Sequence, residues 1–387
     1  MDLTRTALGT WSGGRHLRLG EPLDEELFIT LIRHAYQCGL RTYITFDSLG
    51  NGQTDGLLGR ALQGVPRDSY CLVGGIGRDF YTGQADAGGS WPRFTHPSLR
   101  RADGYAGYLR MAAEKQLQRC GAGRFDLLLL QDPDSTGFTS DEVWQGLHAL
   151  KNAGLTDRIG LAPGPRNGYV LDSIQCFERF GEIIDWAMLP FSPLGSWPTS
   201  LCLPAARENH IKIVARNVDH HGIFHDSLRT GHKFAMRDPR GTLPPAWLEL
   251  ELGKLNAMRK IAKDNSVTLL QLACIWCLSQ PSVYAVVPTL IQESGLQAKR
   301  IEMETSELAQ LPQMWLSADE CREILEIGDN KGDLHLDGAT PEHSGDITPD
   351  RWQLSKSLVE IGRRWGIEAE RDLVVCRPSK PPIAPPS

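Results

Sequence analysis

FDLLLLQDPD, Phe125 to Asp134, runs four consecutive leucines into a polar end made of Gln131, Asp132 and Asp134 around Pro133. An apolar run of this length, stopped by proline and aspartate, reads as a strand. Its flanks have the other period. YAGYLRMAAEKQLQRCG before it and TSDEVWQGLHALKNAG after it are amphipathic, and the second has a Ser/Thr cap candidate at its start and a glycine stop. Short apolar runs alternating with amphipathic segments are what a parallel sheet with crossover helices requires.

The alternation extends in both directions. Before the leucine run, ALGTW, RTYITFD and SYCLVGGI read as strands, with DEELFITLIRHAYQCG and TDGLLGRAL as helices between them. After it come the strands RIGLA, IIDWAMLP, IKIVARNV and YAVVP. Helices fall around residues 169–180 and 201–209, then at ELELGKLNAMRKIAKDN and TLLQLACIWCLSQ, and SGLQAKRIEM follows the last strand. Eight strand-helix units in order predict a (β/α)8 TIM barrel, whose reactive groups stand at the C-terminal ends of its strands. Residues 1–310 are assigned to the barrel and 311–375 to a C-terminal extension packing on it. Residues 376–387 form a proline-rich tail. Beyond Leu311 the pattern weakens through ADECREILEIGDN and recovers one helix at QLSKSLVEIGRRWG.

Composition narrows the functional class. The 387 residues carry a net charge of -6, which argues against nucleic acid as a partner. No run approaches the roughly 18 apolar residues that read as a membrane span, and no basic, apolar leader opens the chain. Nine cysteines without framework spacing fit reduced thiols, and the expected location is the cytoplasm. Cys274 and Cys277 lie within the apolar helix LLQLACIWCLSQ and read as packing. The expected partner is a small molecule, and the oligomeric state is left open.

The segments LGTW, GLRTYITFD, TDGLLGRAL, FDLLLLQDPD, VWQGLHALKNAGLTDRIGLA and LLQLACIWCLSQPSVYAVVP, in this order, resemble the aldo-keto reductases, most closely the sugar-dehydrogenase-like branch. The resemblance spans about residues 7 to 300. It implies a nicotinamide cofactor and a catalytic set of aspartate, tyrosine, lysine and histidine at the strand ends. Of that set only Asp47 stands here. No tyrosine follows it before Asp55, Gly74 and Gly75 occupy the lysine region, and Gln131 stands where the histidine is expected. On the cofactor side, Ala162 and Pro163 replace the amide-binding pair, and Ile291 lies near the basic position for the adenosine phosphate. Lys299 and Arg300 are the nearest substitutes, although a solvated helix face is the better account of them.

Loss of acid, lysine and histidine together removes acid-base assistance typically worth about 10² to 10⁴-fold. The favoured reading is therefore an enzyme that keeps the barrel but performs non-redox chemistry of lyase or isomerase type, with no cofactor, on a small polar, carbonyl-bearing or sugar-like substrate. An NADPH- or NADH-dependent oxidoreductase using substitute residues is the alternative, and a silent binding protein the second. Candidate catalytic residues are Asp47, Tyr81 from the loop GRDFYTG, Gln131, and His220 and His221 from VDHHGIFHD. Trp11, Arg78, Asp132, Arg216, His225, Arg229 and Lys233 are the candidate contacts to substrate or anion. For Asp132 and Asp134 a turn and a helix cap is the better account than catalysis. The histidine cluster lacks a zinc-helix spacing, and no metal is expected.

Overall fold

The structure is a computed structural model. It describes residues 1–85, 89–164, 169–243, 246–295, 298–331 and 354–373. Eight parallel strands pair in sequence order: β1 (Ala7–Gly9), β2 (Thr42–Phe46), β3 (Cys71–Ile76), β4 (Leu127–Gln131), β5 (Ile159–Ala162), β6 (Trp186–Pro190), β7 (Lys212–Arg216) and β8 (Val283–Val287). Val286 donates its amide to Arg5 O at 2.9 Å, and the Thr6–Val286 bridge brings the last strand back to the first. The expected (β/α)8 barrel is the fold.

Helices α1 (Glu25–Gln37), α2 (Gln53–Ala61) and α3 (Tyr105–Cys120) cover the first half of the wall. They are followed by α4 (Ser135–Thr139), α5 (Asp141–Asn152), α6 (Val170–Phe180) and α7 (Leu203–Glu208). The rest of the chain supplies α8 (Trp247–Asp264), α9 (Leu269–Leu278), α10 (Ile301–Ala309), α11 (Ala318–Ile327), α12 (Lys356–Arg364) and α13 (Ala369–Asp372). No described helix is long and apolar enough to cross a membrane.

The four leucines of β4 show why the strands read as unbroken apolar runs. Leu127 and Leu129 join the core inside the barrel with Ile44, Val73, Met188 and Val214. Leu128 and Leu130 pack outward with Leu109, Leu147 and Phe138 under the helices. Both faces are covered, so alternation of polar and apolar residues disappears. Gln131 is the next inward position, which places it at the top of the barrel interior rather than on the rim.

Two elements differ from the sequence reading. Among the described residues of SGLQAKRIEM the helix begins at Ile301, with Arg300 at its cap, and Gly295, at a positive φ of 109°, lies outside it. ADECREILEIGDN contains a helix the weakened periodicity hid. Ser317 and Glu320 close a capping box at the start of α11, although only Ile324 is buried along it. The C-terminal segments rest on the barrel's outer layer: Trp197 Nε1 donates to Asp372 O at 2.7 Å, and Trp365 Nε1 donates to Glu178 Oε1 at 2.8 Å.

Candidate functional site

A cavity of about 220 Å³ opens at the C-terminal end of the strands. Its apolar wall is Trp11, Leu17, Phe46, Leu49, Ala162, Pro163 and Met188, and its polar part is Gln131, Asp132, Arg216 and Asn217. Period-2 alternation explains the strand residues in this set. Phe46 lies two beyond inward Ile44, Gln131 two beyond Leu129, and Arg216 two beyond Val214. Trp11 stacks on Phe46, with ring centroids 5.7 Å apart at 23°, and donates Nε1 to Thr289 Oγ1 at 3.2 Å.

Ser48 Oγ donates to Gln131 Oε1 at 3.0 Å. This fixes the amide's orientation, and its Nε2 donates to no described residue, so a hydrogen-bond donor is left beside the cavity. Asp132 accepts from Arg78 Nε at 3.1 Å and has a φ of 45°, a left-handed conformation that aspartate tolerates better than most residues. Arg93 Nε donates to the Asp132 carbonyl at 2.9 Å. Asp134 is the cap of α4, accepting from Gly137 N at 2.8 Å. The polar end of FDLLLLQDPD is thus divided: Gln131 and Asp132 line the cavity and Asp134 starts a helix. Arg216 Nη2 donates to Gly164 O at 2.6 Å.

Gly75 explains how the expected lysine position is filled. Paired in register with Phe46, it has no room above it: a Cβ there would lie 2.0 Å from the Phe46 ring. At Gly74, which faces outward, a Cβ would meet the Phe125 ring at 2.5 Å. The ring of a neighbouring strand occupies the volume that an inward side chain on β3 would need.

Asp47 and Tyr81 come together, but not at the cavity. The Tyr81 hydroxyl donates to Asp47 Oδ2 at 3.3 Å and accepts from Arg119 Nη2 at 3.0 Å, and Arg119 Nε in turn donates to Asp55 Oδ2 at 3.0 Å. Asp47 follows inward Phe46 and so turns to the helix side, where α2 and α3 supply its neighbours. Burial, then the nearby Asp55 carboxylate, push the fully buried Asp47 well above the ordinary carboxylate range. Burial and the adjacent Asp47 raise the Tyr81 phenol.

The histidines are likewise placed away from the cavity lining. His220 is buried, with Nδ1 3.3 Å from Ser192 Oγ and Nε2 3.6 Å from Glu251 Oε2. His221 is half-buried, its ring 6.1 Å from that of Trp247. His225 is fully buried; its Nε2 lies 2.8 Å from Thr289 O, and its Nδ1 lies 3.4 Å from Glu304 Oε1. Burial depresses the His225 imidazole and raises the Glu304 carboxyl, so it disfavours the charged form of each. Arg229 is exposed and paired with Asp226 at 3.2 Å, and Lys233 is exposed. Among the described residues, no group of three or more His, Cys, Asp or Glu side chains is arranged to hold a metal ion.

Five lining residues escaped the sequence reading: Leu17, Phe46, Leu49, Met188 and Asn217. Strand alternation marks Phe46 and Met188 once the inward face is known. Leu17 stands on a turn and Leu49 opens a short 3₁₀ helix after β2, where no strand period exists to place them.

The basic residues nearest the end of β8 are already paired. Lys299 Nζ donates to Glu307 Oε1 at 2.8 Å, and Arg300 Nη2 to Glu302 Oε1 at 3.0 Å. Ile291 is buried, and its amide donates to Glu304 Oε2 at 3.1 Å.

The family model for the aldo/keto reductases matches residues 5–310. An NADH-specific methylglyoxal reductase of Escherichia coli is 22% identical over 302 residues, covering 74% of this chain and 86% of that protein. A 6-dehydroglucose reductase of Agrobacterium fabrum is 23% identical over 303 residues, covering 75% and 84%. Among solved structures, a glycerol dehydrogenase from Gluconobacter oxydans superposes with a TM-score of 0.66 at 20% identity, covering 84% of this chain and 92% of that one. An aldo-keto reductase from Klebsiella pneumoniae in complex with NADP and acetate superposes with a TM-score of 0.54 at 18% identity, covering 84% and 91%. Eight parallel strands in sequence order, a cavity at their C-terminal ends and a family match over residues 5–310 agree, and the chain belongs to the aldo/keto reductase family.

Proposed function

We propose that this protein is an enzyme acting on a small polar, carbonyl-bearing substrate without net hydride transfer, in a lyase- or isomerase-type reaction. The observation that carries this reading is the cavity lining. Among the described residues it contains no tyrosine, lysine or histidine, and the ionisable side chains there are Asp132 and Arg216. A reductase must protonate the oxygen that hydride transfer creates, and among the described residues the lining offers no tyrosine, lysine or histidine for that step. What it does offer suits removal of a proton beside a carbonyl. The Gln131 amide, anchored through Ser48, donates to the carbonyl oxygen. Arg216 stabilises the developing enolate charge, and Asp132 is the carboxylate that takes the proton. The Trp11 and Phe46 rings close one side and limit substrate size. In this reading Asp47 and Tyr81 brace β2 against the helix layer, and the histidines hold the segment after β7.

The residues present do not suit a nicotinamide dinucleotide. Ala162 and Pro163 offer no side-chain partner for its amide, Ile291 none for its adenosine phosphate, and the cations nearby are spent on Glu302 and Glu307. The second reading, an NADPH- or NADH-dependent oxidoreductase, is favoured by the relatives, which include an NADH-specific reductase and a structure in complex with NADP.

The test is proton NMR in deuterated buffer on a panel of small hydroxyaldehydes, hydroxyketones and sugars, with and without added NADPH. Loss of the α-proton signal or product formation in the nicotinamide-free samples is expected, falling about 10² to 10³-fold in Gln131→Ala. Conversion only with NADPH would overturn the reading in favour of an oxidoreductase, and no conversion in either condition would overturn it in favour of a binding protein.

A further inference from the structure

The end of β8 carries three consecutive buried backbone donors. Thr289 N donates to Asp219 Oδ1 at 2.6 Å, Leu290 N to Ser12 Oγ at 3.1 Å, and Ile291 N to Glu304 Oε2 at 3.1 Å. All three acceptors are buried, and they come from the segment after β7, the segment after β1 and α10. Asp219 Oδ2 takes a fourth amide, that of Gly222, at 3.0 Å.

Beside this row lies a buried guanidinium. Arg240 donates Nε to Asp238 Oδ1 at 3.0 Å, Nη2 to Asp238 Oδ2 at 2.6 Å, Nη2 to Glu293 Oε2 at 3.0 Å and Nη1 to Glu293 Oε1. Asp238 Oδ2 also accepts from Gly20 N at 2.8 Å. Successive amides next to an arginine fork form the donor set that binds a phosphate-type anion. Here each donor faces an oxygen from the chain itself. A phosphate entering would have to displace several buried carboxyl groups, each of which would lose its own partner.

We propose that Asp219, Glu293 and Glu304 are resident ligands of an anion cradle between β7, β8 and β1, holding the segment Asn217–Leu243 docked without any bound molecule. The inference rests on the cofactor-free reading and goes beyond it. It assigns a role to three buried acids that the reaction does not use, and it makes the rim between β7 and β8 a fixed wall, so substrate enters elsewhere around the mouth.

Hydrogen-deuterium exchange of the full chain tests this without a mutation, on peptides covering residues 217–243 and 287–295, with and without millimolar inorganic pyrophosphate. The backbone amides of Gly222, Thr289 and Ile291 are expected to exchange at least about a hundredfold more slowly than an open loop, unchanged by pyrophosphate. Fast exchange in its absence would overturn the proposal, whether or not pyrophosphate then slows it. A second arm uses Glu293→Ala, which leaves Arg240 half-satisfied. Its thermal midpoint is expected to fall and then to recover, saturably, with inorganic phosphate at constant ionic strength, while the parent stays flat. A midpoint in the variant that ignores phosphate would also count against the cradle. Titration with NADPH separates the two claims. Binding with these amides protected only when it is bound would sink both, whereas binding that leaves protection unchanged would sink the cofactor-free reading alone.

Discussion

A side chain at position 75, in the region where the family resemblance implies a lysine, would run into the Phe46 ring, so glycine at 75 and phenylalanine at 46 form one packing unit across neighbouring strands. Gly75→Ala is expected to destabilise the protein by about 1 to 3 kcal/mol through overpacking. Phe46→Ala in the same chain should remove most of that penalty, leaving its own cavity cost. Thermal unfolding of the two single variants and the double variant checks this, and additive losses would show that the two sites do not compete for the same space. Gln131 was legible as a site position because the leucine run before it sets the strand's end. The reach of Asp47 was not: its residue type and place both pointed to the mouth, yet alternation after Phe46 turns it to Arg119 and Asp55. The sequence shows which residue ends a strand, while the face it takes depends on which neighbour has already filled the interior.

At the scale of elements, the strands and most helices were readable because burial imposes a period, and the misread segments are those where it does not. Helix α10 starts later than its sequence pattern implies, and α11 packs so lightly that its capping box is a better signal than its apolar face. Helix α6 carries a further consequence. Asp172 stands in its first turn, and burial pushes its carboxyl up to about 6 from an ordinary 3.8. The fold therefore favours the protonated form. That contribution is fully present below about pH 4 and is lost as pH rises through about 6. Asp172→Asn should accordingly be more stable than the parent by about 1 to 3 kcal/mol at pH 8, and no more stable at pH 4. Urea unfolding at the two pH values checks the sign, and an equal gain at both would rule out ionisation as the cause.

Over the whole molecule, the mouth of the barrel departs in two ways from what the family resemblance implies. Among the described residues the lining holds one carboxylate and one guanidinium, and the row of donors after β8 is satisfied from within the chain. Neither change was fully visible in the sequence. The first needed the inward face of each strand, and the second needed contacts between residues as far apart as Ser12 and Leu290. Both make the same demand on the cofactor that the family would lead one to expect. Calorimetric titration of the purified protein with NADPH and with NADH tests the central claim most directly. The account predicts no binding heat up to millimolar cofactor, and saturable binding at micromolar concentration of either would contradict it.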